Sequence, residues 1–259
     1  MSDFPPPDPE RRFSGLARLY GVQGAQRIAA AHVVVVGIGG VGSWAAEALA
    51  RSGVGWLTLI DLDHVAESNI NRQVHALTDT VGMAKVLAMQ QRIGQINPSC
   101  RVRCVEEFVE PGNWPGLLDA ADMPAVSAVI DACDQVQAKL AMAVWARSSK
   151  TCFISVGAAG GKRQAHQVDL ADLAEVSHDP LLASVRSRMR RLHGAPRAGN
   201  KIGVSCVFSR EAVQPADPSC AVEGSDGTLN CHGYGSVVAV TASFGQCAAG
   251  WVMDRMASA

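Results

Sequence analysis

A β-branched run followed by a glycine-rich turn is the feature that most restricts the fold of this chain. Residues 32–36 read His-Val-Val-Val-Val, and residues 37–42 read Gly-Ile-Gly-Gly-Val-Gly. Residues 43–52 then place apolar side chains at helical spacing and stop before Gly53. Glycines between a strand and a helix let the backbone approach a phosphate at the helix N-terminus. The pattern predicts a nucleotide site whose turn is formed by Gly37, Gly39, Gly40 and Gly42.

Asp61 ends the next predicted strand, which begins at Trp56. A carboxylate at this position can bind a ribose hydroxyl group. Strand, turn, helix and strand follow one another within about 30 residues, the length of a βαβ unit. ATP, a nicotinamide dinucleotide and a flavin dinucleotide fit these features equally well.

Strands and helices continue to alternate up to about residue 160. The sequence predicts two short helices at 15–31, further helices at 82–97, 113–121 and 135–148, and strands at 101–105, 128–131 and 151–156. Beyond Gly161 it predicts strands at 164–170 and 203–209, a long loop at 215–230 and a terminal helix at 236–256. The alternation indicates an α/β fold with a doubly wound, Rossmann-like, mostly parallel sheet.

The composition predicts a globular body of the size of an enzyme. Of the 259 residues, 48% are hydrophobic and 18% are charged, and the formal net charge is −1. The longest apolar runs fall well short of the ~18 residues that a membrane span needs, and the N-terminus does not read as a secretory signal. The eight cysteines include no CxxC pair, which disfavours a zinc site of paired spacing and fits a cytoplasmic protein.

Polar residues after Asp61 favour ATP over a dinucleotide. The group consists of Asp63, Asn69, Asn71, Arg72 and Lys85. Hydride transfer does not require this set, whereas fixed cations stabilise a triphosphate and the charge that develops during phosphoryl chemistry. We therefore predict that Arg72 and Lys85 hold phosphates.

Together these motifs resemble the adenylating fold of ubiquitin-activating enzymes and their bacterial relatives of the ThiF/MoeB type. The resemblance covers roughly residues 11–160 and includes Ile96-Asn97-Pro98 and Ile130-Asp131-Ala-Cys-Asp134. It implies that a carboxylate attacks the α-phosphate of ATP and forms an acyl adenylate. The implied ATP and Mg²⁺ residues are Asp61, Asn69, Arg72, Lys85 and, for the metal, Asp134.

The resemblance also implies a homodimer in which an arginine near the N-terminus reaches the partner's ATP. Gly15 occupies the usual position of that arginine, so Arg12 or Arg18 must replace it, and we favour Arg18. The domain organisation that follows is a disordered tail at 1–10, an ATP-binding adenylation core at 11–160 and a substrate-binding C-terminal part of the same domain at 161–259.

Over nearly its whole length the sequence is similar to bacterial tRNA threonylcarbamoyladenosine dehydratases. The similarity includes residues 37–51, 71–77, 203–209, 225–228 and 241–245. It implies that the threonine carboxylate of the modified adenosine in tRNA is adenylated and captured by its own carbamoyl group, with loss of water. Because the nucleophile is held beside the activated carbonyl, no catalytic cysteine is needed. A monovalent cation, K⁺ or Na⁺, and a sulfur-transfer protein partner are left open, and no zinc or membrane partner is expected.

Two competing functions are weighed against this one. The first is an adenylyltransferase that activates the C-terminus of a small sulfur-carrier protein, which the missing CxxC pairs disfavour. The second is a dinucleotide-dependent oxidoreductase, which the polar set after Asp61 disfavours.

Four further features are candidates either for the site or for a structural role. A basic run is either a solvated face or a tRNA contact, and its members are Arg186, Arg188, Arg190, Arg191, Arg197 and Lys201. Lys162 and Arg163 follow a glycine-rich turn and could hold the substrate carboxylate. His75 is either structural or part of the site, and Cys231 is expected to be a buried, inert thiol.

Overall fold

The computed structural model describes residues 6–197, 199–217, 219 and 234–259. The helices of this part are α1 (Pro9–Ala30), α2 (Gly42–Arg51), α3 (Lys85–Ile96), α4 (Val136–Ser149), α5 (Pro180–Leu192) and α6 (Val238–Ser258). The strands are β1 (His32–Val36), β2 (Trp56–Ile60), β3 (Arg101–Val105), β4 (Ala128–Asp131), β5 (Cys152–Val156), β6 (Val168–Asp172) and β7 (Ser205–Ser209).

The strands of the described residues form one sheet in the order β3-β2-β1-β4-β5-β7-β6. Neighbouring strands pair in parallel from β3 to β7, and β6 pairs antiparallel to β7. The chain builds the sheet outwards from β1 towards β3 and then returns to β1 to add β4 on its other side. The predicted doubly wound fold is confirmed, and its topological switch point lies between β1 and β4.

Alternation along β1 divides the interior into two cores. Val33 and Val35 pack with buried residues of α2, α3 and α6 on one face of the sheet. Val34 and Val36 pack with buried residues of α4 and α5 on the other face. Because both faces of a central parallel strand are covered, an unbroken apolar run is what such a strand requires.

Several predicted boundaries differ from the structure. Helix α1 begins at Pro9, where the Asp8 side chain accepts hydrogen bonds from two backbone N–H groups, so the end of the expected tail is helical. The backbone leaves helical geometry at Gly21, as predicted, but Gly24 is a buried helical residue. The predicted helix at 113–121 is reduced to a 3-10 turn at Gly116–Leu118, and most of the predicted loop at 215–230 lies outside the described residues.

Helix α5 is an element that the sequence analysis did not predict. Asp179 caps it by accepting a hydrogen bond from the Leu182 backbone at 2.9 Å, and Pro180 occupies its first turn. Its apolar residues face the core, whereas the second half of the helix carries the basic run. The sequence of this helix is dominated by charge, which hides an apolar stripe of only a few residues.

Candidate functional site

The switch point brings together the turn after β1 and the turn after β4. A Cβ atom at Gly37 would lie 2.8 Å from the carbonyl oxygen of Ala132, which follows β4 directly. Ligands of open α/β sheets bind outside the carboxyl ends of the strands at this point. The fold therefore places the predicted phosphate turn and the segment leading to Asp134 at one site.

The four glycines of the turn serve two different purposes. Gly37 has a φ of 83°, and a side chain at Gly42 would overlap the Gly37 carbonyl group, so the turn itself requires both. A Cβ atom at Gly39 would meet no described atom within 4 Å, and one at Gly40 would approach the Arg72 side chain at 3.3 Å. Gly39 and Gly40 therefore make room beside the backbone, which is open at Gly39 and is filled at Gly40 by the Arg72 and Thr241 side chains.

Asp61 holds the glycine turn from the adjacent strand. Its Oδ2 accepts the Ile38 N–H at 2.6 Å, and its Oδ1 accepts the Asp63 N–H at 2.9 Å. Burial raises the pKa of this carboxyl group, while the charge of Lys85 and the two backbone donors act in the opposite direction. Each carboxylate oxygen can accept more than one hydrogen bond, so the predicted ribose contact remains compatible with this arrangement.

Lys85 and Asp63 form an ion pair beside the turn. The Lys85 Nζ lies 2.7 Å from the Asp63 Oδ2, and the two side chains are 8% and 54% exposed. Lys85 is the first residue of α3, and its N–H donates to the Asp63 carbonyl oxygen at 2.9 Å. An ammonium group has three donors, so one bond to Asp63 leaves Lys85 able to contact a phosphate oxygen.

The Arg72 side chain lies against the glycine turn, and a hydrogen bond holds its backbone in place. The Trp44 Nε1 donates to the Arg72 carbonyl oxygen at 3.0 Å, which ties this segment to α2. The Arg72 guanidinium donates to the Ser68 carbonyl oxygen at 2.6 Å and to the Asn71 Oδ1 at 2.9 Å, and its remaining donors are uncommitted in the described chain. Asn69 is buried and accepts the Ala66 N–H at 3.1 Å, which shapes the turn that presents Arg72.

Asp134 and Arg18 are exposed. Asp134 follows β4 at the switch point and forms no ion pair with the described residues. Arg18 projects from α1 and makes no hydrogen bond or ion pair in the part of the chain that the structure covers. Arg12, the alternative cross-subunit arginine, donates to the Ile96 carbonyl oxygen of its own chain at 2.5 Å.

Lys162 does not offer its charge to a substrate carboxylate, contrary to our expectation. It is 2% exposed, and its Nζ donates to the carbonyl oxygens of Glu211 at 2.7 Å and His178 at 3.1 Å. Burial lowers the pKa of this amine, although Asp179 and Glu211 partly offset that effect. Lys162 therefore joins loops in the interior, while the Arg163 side chain remains exposed.

A buried ion pair behind the site was missed by the sequence analysis. The Lys139 Nζ lies 3.0 Å from the Asp131 Oδ1 and 2.7 Å from the Val156 carbonyl oxygen, and Asp131 and Lys139 are fully buried. The Ser155 Oγ donates to the Asp131 Oδ2 at 2.6 Å. The Asp131 side chain thus joins β4, α4 and β5. The missed signal was a lysine on the otherwise apolar face of α4.

The cysteines of the described chain are unpaired and packed in or beside the core. Burial raises the thiol pKa values of Cys100 to about 12 and of Cys104 to about 11, and it also raises those of Cys133 and Cys206. A raised thiol pKa opposes formation of the reactive thiolate. Cys231 lies outside the described residues.

His75 lies in the interior and not at the exposed edge of the site. It is 1% exposed, and neither ring nitrogen has a hydrogen-bond partner among the residues that the structure describes. Burial lowers its pKa to about 4, and the charges of Lys85 and Arg92 contribute in the same direction. The ring is therefore neutral in the folded protein at neutral pH.

We expect the titration of His75 to reduce the free energy of unfolding by about 3 kcal/mol as the pH falls from 6.5 to 4. The unfolded chain binds the proton at the higher pH and the folded chain only at the lower one, so acid favours unfolding within this window. Urea unfolding of the wild type and of His75→Phe at pH 7.5 and pH 4.5 measures the effect. The difference in stability between the two proteins should move in favour of the variant at the lower pH. An identical pH dependence would rule out His75 as its source.

The basic run occupies the second half of α5 and the loop that follows. Arg186 donates to the carbonyl oxygens of Leu173 and Val176, and Arg190 donates to that of Pro196. The outward cations are Arg191, Arg197 and Lys201, and Arg188 is partly buried. Two of the six cations are therefore held by backbone carbonyl groups, and the others face outwards to different extents.

The described chain shows neither a membrane-spanning helix nor a preformed metal cluster. No helix found there combines the length and the apolar character needed to cross a bilayer. The same residues contain no group of three or more histidine, cysteine, aspartate or glutamate side chains arranged to hold a metal ion.

Comparison with known proteins identifies the family of the chain. The ThiF family model matches residues 13–257. The chain is 44% identical over 254 residues to the tRNA threonylcarbamoyladenosine dehydratase of Escherichia coli K12, covering 95% of this chain and 93% of that one. It is 39% identical over 251 residues to the Haemophilus influenzae dehydratase, covering 95% and 94%. The crystal structure of the E. coli dehydratase in complex with ATP matches with a TM-score of 0.85 and 43% identity, over 96% of this chain and 95% of that one.

Proposed function

The chain belongs to the ThiF family and, within it, to the tRNA threonylcarbamoyladenosine dehydratases, and from this premise we propose that it catalyses the ATP-dependent dehydration of N6-threonylcarbamoyladenosine in tRNA. The observation that carries the proposal is the meeting of the glycine turn, the Lys85–Asp63 pair and the Arg72 side chain at the carboxyl ends of β1 and β2. This arrangement supplies backbone space and two cations for a triphosphate.

The reaction consists of two bond exchanges. A threonine carboxylate oxygen bonds to the α-phosphorus of ATP as the bond to the β-phosphate oxygen breaks, which gives an acyl adenylate and pyrophosphate. The carbamoyl group then attacks the activated carbonyl carbon and loses a proton, and AMP leaves with the original carboxylate oxygen. The product is a ring that has lost one water relative to the substrate. Arg72 and Lys85 hold and neutralise the phosphates.

We also propose a Mg²⁺ site at Asp134. The exposed Asp134 directly follows Cys133, whose backbone nitrogen packs against Gly37 of the glycine turn. Mg²⁺ is commonly bound by one or two carboxylates together with substrate phosphates and water. When bound, the metal would neutralise phosphate charge. A monovalent cation, K⁺ or Na⁺, remains an open part of the proposal.

A homodimer with Arg18 directed towards the partner's nucleotide is the second part of the proposal. Leu19 and Val22, which neighbour Arg18 on α1, are 74% and 65% exposed. Such apolar exposure beside an uncommitted arginine suits a protein interface. Light scattering that finds a monomer would remove this role of Arg18.

The basic run of α5 is proposed as a contact for tRNA phosphates distant from the target nucleoside. Helix α5 starts beside Gly157, at the carboxyl ends of the parallel strands. The chain then returns to the amino ends of these strands, where β7 starts, so the second half of α5 lies away from the nucleotide turn. Unchanged tRNA affinity after Arg188→Glu with Arg191→Glu would exclude this contact.

The remaining parts of the proposal concern organisation and surroundings. We propose that residues 11–160 form the adenylation core, that residues 161–259 bind substrate within the same domain, and that the protein acts in the cytoplasm. A sulfur-transfer partner remains open. The alternative function, adenylation of a sulfur-carrier protein, is less well supported because the relatives matched over nearly the full length are dehydratases.

Mass analysis of nucleosides tests the function directly. Transfer RNA that carries threonylcarbamoyladenosine is incubated with the protein, Mg²⁺ and ATP, and parallel reactions omit ATP or replace it with NAD. We expect the nucleoside to lose the mass of one water only when ATP is present. An unchanged nucleoside with ATP bound to the protein would refute the tRNA reaction and make carrier-protein adenylation the next assay.

A further inference from the structure

A groove between α1 and the C-terminal ends of α2 and α3 gathers three arginines away from the nucleotide turn. It has a volume of about 450 Å³ and is lined by Arg12, Phe13, Arg51, Arg92, Gln95 and Ile96. All of the charged side chains that line it are cationic. On a chain whose net charge is −1, such a local concentration of positive charge is not explained by composition.

Buried Glu47 orients two of these arginines. Its Oε1 lies 2.7 Å from the Arg51 Nε, and Arg92 donates to Oε2 through Nε at 2.5 Å and to Oε1 through Nη2 at 3.1 Å. One carboxylate therefore faces two guanidinium groups and leaves one positive charge uncompensated. Arg12 adds another, because its partner is the neutral carbonyl oxygen of Ile96. The groove is thus a fixed array of guanidinium donors with surplus positive charge.

The position of the groove separates it from the nucleotide site. Helix α2 leads from Gly42 in the glycine turn to Arg51 in the groove, and its ten residues span about 15 Å. A nucleic-acid strand presents phosphates every few ångströms over such a distance.

The helix dipole accounts for an arginine in the last turn of α2, but it does not account for Arg12, which comes from the first turn of α1.

We propose that Arg12, Arg51 and Arg92 bind a backbone phosphate of the tRNA substrate. This inference rests on the proposed function and adds a contact surface distinct from the basic run of α5. Guanidinium groups bind phosphate oxygens in bidentate geometry. Because Glu47 already orders Arg51 and Arg92, less side-chain entropy is lost on binding.

The test compares the double variant Arg12→Gln/Arg51→Gln with the wild type. Glu47 keeps its bidentate partner Arg92 in this variant. We expect tRNA affinity to fall by at least about tenfold, and the slope of log affinity against log salt to become shallower by about 1 to 2. ATP affinity should not change. Arg147→Gln, at an exposed arginine in the last turn of α4, is the matched control and should leave tRNA binding intact.

Each outcome decides the proposal. If the double variant is less stable because Arg12 no longer holds Ile96, Arg51→Gln alone preserves that bond and should still weaken tRNA binding. Wild-type affinity and salt slope in both variants would overturn the groove contact while leaving the proposed dehydration intact. Loss of inorganic phosphate binding with unchanged tRNA affinity would overturn it as well, since the ligand would then be free phosphate. If the wild type binds tRNA but does not dehydrate it, the proposed function fails and the groove comparison still stands.

Discussion

Replacing Lys85 with methionine should lower kcat/KM for tRNA dehydration by about 10²–10³-fold, the effect of removing one fixed electrostatic group from an active site. The Lys85 Nζ lies 2.7 Å from Asp63 at the start of α3, next to the phosphate turn. Methionine retains most of the aliphatic stem, so the change removes charge with little loss of packing. Single-turnover rates and ATP affinity, measured with saturating modified tRNA, separate chemistry from nucleotide binding.

Two further variants distinguish phosphate binding from simple ion pairing. Asp63→Asn breaks the Lys85–Asp63 ion pair but keeps the ammonium group, so it should retain more activity than Lys85→Met. Lys150→Met, at an exposed lysine after α4, controls for loss of one positive charge elsewhere and should be silent. Wild-type kcat/KM for Lys85→Met would remove Lys85 from the site.

The strand-turn-helix unit could be predicted from the sequence because its physical requirements are local. A strand buried on both faces needs a continuous apolar run, and β1 has one. Gly37 and Gly42 are fixed by the geometry of the turn, whereas Gly39 and Gly40 leave space beside the backbone. The sequence presents the same residue type in both cases, so only the structure separates the two reasons.

The failures of sequence analysis concern contacts between distant segments. Lys162 follows a glycine-rich turn, where exposure was expected, but the loops containing His178 and Glu211 close over it. Helix α5 buries Leu181, Leu182, Val185 and Met189 at helical spacing, yet its four arginines made the segment look like a solvated face. For Lys162 the deciding partners lie far away in the sequence, whereas for α5 the apolar stripe is local but is outweighed by the surrounding charge.

The basic run shows the same difficulty at the level of charge. A count of cations treats Arg186, Arg190 and Arg191 alike, but the first two donate to backbone carbonyl groups and the third is exposed. The groove formed by Arg12, Arg51 and Arg92 was not visible as a run, because its arginines come from three helices. Surface charge patterns therefore need the fold before they can be assigned.

Replacing Lys139 with methionine should destabilise the protein by about 3–5 kcal/mol, because it leaves the fully buried Asp131 carboxylate without its cation. Burial alone would lower the pKa of Lys139, but the Asp131 charge and neighbouring groups reverse that effect and raise it, which keeps the ammonium charged. Urea unfolding at pH 7.5 measures the loss. Lys150→Met provides the exposed counterpart and should change stability little.

The double variant Asp131→Asn/Lys139→Met tests the reason for that loss. It removes both buried charges and keeps an acceptor for the Ser155 hydroxyl group, so it should be more stable than Lys139→Met alone. If the double variant is no more stable than the single one, packing and not the unpaired charge causes the loss.

Because Lys139 also donates to the carbonyl oxygens of Asp131 and Val156, the pair holds the ends of β4 and β5 immediately before the Asp134 segment and the 157–161 turn. A folded Lys139→Met protein should therefore require more Mg²⁺ for activity, whereas an unchanged Mg²⁺ dependence would limit the role of the pair to stability.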